Sequence, residues 1–480
     1  MSFTHLHTAT AFSAHYGVSW PQDLAAAAAA DGADALACTD RDGLYGTVKH
    51  LRACMDAGID PIVGVDLAVL GDPDGHGSTA VTGRVVVLAH GRRGGAGYRA
   101  LCRLISDAHA GTVASGARKN SKPVGVTLAQ LAARAAGNDD DGAPTSGGGP
   151  VLTVLVGPWS DVGQAMRSRS YAVARTLFAR WQALLPREAL AIEVVTHLSA
   201  PGKNLSLAHA VRMFRLADEM QLPAILTNAV RYVDADGAAT ADVLDAARAL
   251  TSMGRLPDLQ PNGQGWLKSA AQMTSLAREI SREAGYGTAG ASRMLRDTEA
   301  LADACRMDPV QDMGFKQPVV PEASVIGINT EPMTELVARC EAGIGRRFPS
   351  QDRAAEARLR NRLAHELGII ERLGFASYFP PVAEVSSMIT GMGVRAAARG
   401  SGASSLVNYL LGISHVNPLA HDLIFERFLS RDRSTLPDID IDVESAQRHN
   451  VYHRIFERFG AERVTLMSMQ NGYRARGAVR

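Results

Sequence analysis

Seven short apolar runs punctuate the first half of the chain: Phe3–His7, Ala35–Thr39, Ile62–Val69, Val85–His90, Val151–Val156, Leu190–Val195 and Ala224–Thr227. Stretches of helical periodicity fall between them, among them Leu24–Ala30, Thr47–Ala57, Ala172–Leu185 and Leu207–Met220. Such alternation limits the fold class to α/β, with a parallel sheet or barrel over residues 1–240. Polar residues gather where those strands end: His5, His7, Asp40, Asp66, His90, Glu193, His197 and Asn228. In a βα barrel that end carries the chemistry. His5 and His7, two apart on one strand, point the same way and suit a shared metal; ordinary polar loop residues are the alternative.

A second constraint lies near the other end. Leu436–Val443 reads carboxylate, apolar, carboxylate, apolar, carboxylate, a period of two that puts Asp438, Asp440 and Asp442 on one strand face and Ile439, Ile441 and Val443 on the other. Three like charges in a row resist burial unless a cation neutralises them. Oxygen ligands of this kind suit Mg²⁺ with substrate phosphates, whereas an exposed acidic edge strand needs no ligand at all. Geometry alone allows either neighbouring pair of carboxylates to act. Upstream, Arg399-Gly400-Ser401-Gly402 leads into the apolar helical run Ser405–Ile413. A Gly/Ser turn at a helix N-terminus offers free N–H groups to a phosphate. Together the turn and the acidic strand point to nucleotidyl transfer.

The 480 residues of the chain leave room for two to four domains, and a net charge of +1 confines any nucleic-acid contact to local patches. Five scattered cysteines lack metal or disulfide spacing, and no apolar run reaches the roughly 18 residues of a membrane helix, so a cytoplasmic location is expected. The segments 136–150 and 109–123 read as surface loops. Arg358, Arg360 and Arg362 read as a solvated helix face within the helix expected over Ala354–Leu373.

Arg399 to Ile413, Phe425-Glu426-Arg427-Phe428-Leu429, Leu436 to Val443, Glu462-Arg463-Val464-Thr465 and Tyr473-Arg474-Ala475-Arg476 together resemble the palm of bacterial family C DNA polymerases, the DNA polymerase III alpha subunits, and most closely the error-prone kind. His5-Leu6-His7, Thr39-Asp40, Gly43-Leu44-Tyr45-Gly46 and Ile62-Val63-Gly64 resemble the polymerase-associated PHP domain, a seven-stranded βα barrel. The resemblance implies a PHP-type barrel over 1–240, a helical connector over 241–330, the first part of a palm over 331–443 and the start of a thumb over 444–480. It implies a DNA-directed DNA polymerase of replication or error-prone repair, acting on primer-template DNA and dNTPs, with sliding-clamp and mutasome contacts made by regions outside the chain. This chain would be its N-terminal part, inactive alone, with a third catalytic carboxylate further on. Asp440 and Asp442 would be catalytic and hold two Mg²⁺, Asp438 would be structural, and Arg399, Gly400 and Ser401 would bind the nucleotide.

The PHP metal set would be His5, His7, Asp40, Asp66, Glu193 and His197. It is degenerate here, because Arg41 and Arg231 stand where the family commonly has histidine, and an arginine cannot ligate a metal. Each could instead pair with Asp40 or Asp66. This favours a scaffold over the alternative, a metal-dependent PHP phosphoesterase or 3′–5′ exonuclease. A non-catalytic DNA- or subunit-binding fragment is the third reading.

Overall fold

The computed structural model describes residues 2–71, 80–110, 123–136, 149–256, 263–349, 352–433, 435–460 and 463–464. The expected loop tips within 109–123 and 136–150, the Glu462–Thr465 motif and the Tyr473–Arg476 motif lie largely or wholly outside the described residues. The chain divides into two compact units, Met1–Phe315 and Lys316–Arg480.

The first unit is built on seven strands: β1 (Ala35–Cys38), β2 (Asp60–Gly71), β3 (Ala80–Ala89), β4 (Val126–Thr127), β5 (Leu152–Val156), β6 (Leu190–Val194) and β7 (Ala224–Leu226). Their order is β1-β2-β3-β5-β6-β7, with β4 beside β2. β1 and β2 run parallel, as do β5, β6 and β7, but β3 is antiparallel to both β2 and β5. The sheet is therefore mixed, not wholly parallel. Connection length is the reason for the first antiparallel pair: eight residues separate Gly71 from Ala80, enough for a hairpin and too few for a parallel crossover.

The strand expected over Phe3–His7 is an extended segment that closes the sheet. Ala37 and Thr39 of the β1 side donate to the carbonyls of His5 (3.0 Å) and Thr8 (2.8 Å), while Val230, just past β7, donates to His7 (2.9 Å) and accepts from Ala9 (2.8 Å). The curled sheet thus joins its own edges. Its core packs Val65, Val87, Val154 and Ile192 against Phe178, Trp181 and Phe214.

Of the connector expected over 241–330, residues 241–315 fall in this unit and 316–330 in the second. The helix Ala270–Ala284 starts at a reciprocal cap between Ser269 and Gln272, and Met273, Leu276, Ala277 and Ile280 enter the same core. In the helix Gly287–Cys305, Thr298 Oγ1 accepts from the Leu226 N–H (2.9 Å), occupying a donor on β7.

The second unit is mostly helical: Pro332–Arg347, Arg353–Leu373, Phe379–Gly391, Leu406–Leu410 and Arg448–Phe459. Leu336, Leu359, Leu363, Ile370, Phe379, Leu406, Phe425 and Phe428 fill its core. In the helix from Phe379, Pro380 and Pro381 sit in the first turn, where no intrahelical N–H is required. One two-stranded ribbon completes the unit, β8 (Ala396–Arg399) antiparallel to β9 (Asp440–Val443).

Candidate functional site

Period-two patterning survives in the ribbon. Asp438, Asp440 and Asp442 are exposed, while Ile439, Ile441 and Val443 are half-buried; Ile441 and Val443 lean on a small cluster of Ile389, Val394 and Val451. The register pairs Arg399 with Asp440 and Ala397 with Asp442. Arg399 Nε lies 3.1 Å from Asp442 Oδ1, both side chains largely exposed. Asp440 has no ion-pair partner among the described residues. Upstream of the strand, Tyr378 Oη donates to the Pro437 carbonyl (2.9 Å) and Arg433 donates to the carbonyls of Phe428 and Leu436 (2.9 and 3.2 Å), which fixes the entry into the strand.

Directly after β8 the backbone turns left-handed at Gly400 (φ +67°), and a Cβ there would stand 3.2 Å from Asp440 Oδ2. Glycine is needed on both counts: φ is unfavourable for other residues, and the side chain would press on the carboxylate. The turn and the acidic strand, 40 residues apart in sequence, are adjacent in space.

The helix N-terminus does not match the expectation. Gly400–Ser404 forms a short 3₁₀ turn, and the α-helix begins only at Leu406. Its leading N–H groups are already taken by a carboxylate from within the chain. Glu366, fully buried, accepts from Leu406 N (2.9 Å), Val407 N (3.1 Å) and Ser405 Oγ (2.9 Å), and pairs with Arg362 Nε (2.7 Å). An internal anion fills the place a phosphate was expected to occupy, so Arg399, Gly400 and Ser401 can offer only the 3₁₀ turn and the ribbon edge.

Arg362 is accordingly no solvated residue. It is half-buried and also donates to the carbonyls of Ser404 (3.0 Å) and Leu423 (2.9 Å), while Arg358 and Arg360 are exposed as expected. Glu366→Ala would strand Arg362 and the helix N-terminus together; a loss of about 3–5 kcal/mol from this unit is expected in chemical denaturation. An unchanged midpoint would show that the network contributes nothing.

In the first unit all six residues of the expected metal set are buried, and each is engaged within the chain. His7 Nδ1 is 2.6 Å from Glu193 Oε1. Burial presses the His7 pKa down, but Glu193 more than offsets this and the net shift is upward. Glu193 also accepts from Thr227 Oγ1 (2.6 Å). Asp40 accepts from Thr10 N (2.7 Å), Thr10 Oγ1 (2.9 Å) and Ser13 Oγ (2.8 Å), and burial raises its pKa. His197 Nε2 meets the Asn228 carbonyl (2.8 Å) and His5 Nε2 the Lys268 carbonyl (2.8 Å).

Asp66 is held by two guanidiniums, Arg41 Nε and Arg84 Nε, each at 2.9 Å. Burial opposes its charge, yet Arg84 and Arg41 hold its pKa at about 2. Arg41 thus takes one of the partners foreseen for it. Arg231 does not: its bidentate partner is Asp245 (2.8 and 3.0 Å). His5 and His7 serve different neighbours, and the described residues contain no group of three or more His, Cys, Asp or Glu side chains arranged to hold a metal ion. Arg84 and Asp245 carried no local sequence signal. The Gly265–Ser269 segment, expected between domains, is stitched to this end of the sheet, Arg231 N donating to the Gly265 carbonyl (2.8 Å) and Lys268 Nζ to Asn228 Oδ1 (3.2 Å) and to the Gln264 carbonyl.

The chain is therefore an α/β protein of two units, one a curled, self-closing sheet and the other a helical unit bearing an acidic ribbon. Residues 5–197 match the PHP domain, and residues 334–480 match the bacterial DNA polymerase III alpha NTPase domain. Along its whole length the chain is 32% identical to an error-prone DNA polymerase of Symbiobacterium thermophilum, and 29% identical to one of Nocardia farcinica. The same holds at 30% for an error-prone DNA polymerase of Cutibacterium acnes. It spans 40%, 42% and 38% of the length of these three relatives. The chain is thus similar along its length to bacterial error-prone DNA polymerases, with a PHP match followed by a polymerase III alpha match. Among the described residues no helix is long and apolar enough to cross a membrane.

Proposed function

We propose that this chain supplies the PHP domain and a metal-holding palm strand to a template-directed DNA polymerase acting on primer-template DNA and dNTPs. The observation that carries this reading is the pair Asp440 and Asp442, exposed on one face of β9 with Gly400 packed against Asp440. Their donor set fits Mg²⁺: hard carboxylate oxygens, open to solvent, with positions left for substrate phosphates. Bound there, two Mg²⁺ would lower the pKa of the primer 3′-hydroxyl and stabilise the pyrophosphate leaving group. The protein's own part is to fix the two carboxylates at a spacing of two residues and to keep the Gly400 backbone close beside them. Arg399, now on Asp442, would swing to an incoming triphosphate, since an exposed ion pair costs about 1 kcal/mol or less to break.

For the barrel we propose a scaffold role. Asp66, a central ligand of the expected set, is neutralised from two sides by Arg41 and Arg84, and a cation there would face both.

Affinity cleavage tests the palm assignment on this chain. Fe²⁺ with ascorbate, replacing Mg²⁺, is expected to cut the backbone next to residues 440–442, with the cut lost in Asp440→Asn and suppressed by excess Mg²⁺. Cleavage confined to the first unit would refute the assignment.

A further inference from the structure

Asn408 breaks the apolar pattern of its helix. It is the third residue of Leu406–Leu410 and is fully buried, in a run whose Leu406, Val407 and Leu410 fill the core of the second unit. A polar side chain at this position commonly reaches back to accept the N–H of the cap residue. Asn408 does not. The Ser405 N–H goes to the Gly402 carbonyl (3.3 Å), and Asn408 Nδ2 donates to that same carbonyl (2.9 Å). One oxygen thus receives two donors, while Asn408 Oδ1, also buried, accepts from no group among the described residues. Turning the amide over would set Oδ1 against the carbonyl oxygen, so Gly402 dictates its orientation. A buried acceptor without a donor destabilises a fold. Leucine, of similar size, would avoid that loss but could not hold Gly402.

What Asn408 holds is the turn beside the acidic strand. The end of that turn has other ties: Ser404 Oγ donates to the Ser401 carbonyl (2.6 Å), and Arg362 Nη2 donates to the Ser404 carbonyl (3.0 Å). Among the described residues, Asn408 supplies the one side-chain bond from outside the turn to residues 400–403. The turn also meets the ribbon. A Cβ on Gly402 would stand 3.8 Å from the Asp438 carbonyl oxygen, and one on Gly400 would stand 3.2 Å from Asp440 Oδ2. The bond to Gly402 therefore sets where the turn lies against Asp438 and Asp440. A residue that serves its neighbours' geometry at the expense of its own helix is the pattern expected at a functional site.

We propose that Asn408 is a positioning residue for the incoming nucleotide. It holds the Gly400–Ser401 backbone beside Asp440, so that a triphosphate meets turn and strand together. It acts through Gly402 and does not touch substrate. The inference rests on the polymerase reading of the ribbon.

The test places Asn408→Leu and Asn408→Ala in the complete polymerase. In both, the KM for dNTP is expected to rise about tenfold or more, with kcat and primer-template affinity little changed. The unfolding midpoint of Asn408→Leu should equal or exceed the parent's, because the unpaired acceptor goes with the bond. In the chain by itself, amide exchange at Ser405 should quicken in both variants. Unchanged exchange there, or a KM that rises only where the midpoint falls, marks a structural role and overturns the proposal. Asp440→Asn is measured alongside. If it keeps the parent rate, the polymerase reading fails and this inference falls with it. If it is inactive while both Asn408 variants keep the parent KM, this inference alone is overturned.

Discussion

Asp440→Asn and Asp442→Asn are each expected to slow nucleotide incorporation by the complete polymerase on the order of a thousandfold or more, several kcal/mol of transition-state stabilisation. Asparagine keeps the shape and hydrogen-bonding capacity of aspartate, so the β8–β9 pairing and the half-buried Ile439, Ile441 and Val443 are preserved. On the proposed reading, what disappears is one negative charge that would face the cation. The deficit should fall on the chemical step, with primer-template affinity retained, because phosphate contacts made elsewhere supply most of that affinity. Asp438→Asn should cost much less: its residue precedes β9, and Gly400 abuts Asp440 instead. Single-turnover incorporation with saturating DNA reads this directly. If Asp438→Asn were as damaging as Asp440→Asn while Asp442→Asn stayed active, the metal-holding pair would sit one carboxylate earlier.

Acid should destabilise the first unit steeply between pH 6.5 and 4. His5, His50, His90, His197 and His209 are buried, and burial lowers the pKa of each from 6.5 to about 4. The local chemistry is shared. In four of them Nε2 donates to a backbone carbonyl, of Lys268, Leu36, Asn228 and Gly163 respectively; in His90 it meets Thr153 Oγ1. For His5 and His209 the Nδ1 atom has no hydrogen-bond partner among the described residues, so a second proton would be buried without an acceptor.

The sign follows from proton counting. Between pH 6.5 and 4 the unfolded chain binds protons at these sites and the native chain does not, so stability is complete above 6.5 and falls with pH by about 1.4 kcal/mol per pH unit for each histidine. His7 acts oppositely. Its folded pKa is raised by Glu193, so its contribution is present at low pH and fades as pH rises through that value; one group of this sign cannot cancel five of the other. Urea midpoints measured from pH 7.5 to 4.5 should drop across this window. A flat profile between pH 7 and 5 would mean that these imidazoles are hydrated.

Local patterns were legible where neighbours in sequence remain neighbours in space. The Asp–Ile alternation specified which faces of β9 are wet and dry, and most strand and helix positions of the first unit follow their apolar periodicity. Strand direction was not legible from alternation alone. The Gly71-to-Ala80 connection carried the information in its length, and reading only the apolar runs passed over it. The Glu366 network was hidden for a different reason. Arg362 and Glu366 at i and i+4 look like any exposed helix pair, and the N–H groups that Glu366 caps lie 40 residues downstream. Arg231 was readable as a non-ligand, but its partner Asp245 belongs to a helix whose acidic residues all look alike in sequence. Side-chain commitments of this kind depend on which elements pack together, and periodicity does not encode that.

Closure of the sheet by Phe3–Ala9 has a consequence for synthesis. Residues Phe3–Ala9, made more than two hundred residues before Val230, cannot take their final seat until Val230 has emerged, because the segment lies between β1 and the chain beyond β7. Sealing the ring late means that a loop of more than two hundred residues is closed by a few backbone bonds, a step whose entropic cost grows only slowly with length but whose rate depends on long-range encounter. Until then β1 presents an unpaired edge to solvent, a template for pairing with other chains. A bulky insertion beside Phe3–Ala9 would slow this step most, and the same insertion far from the seam would leave it alone.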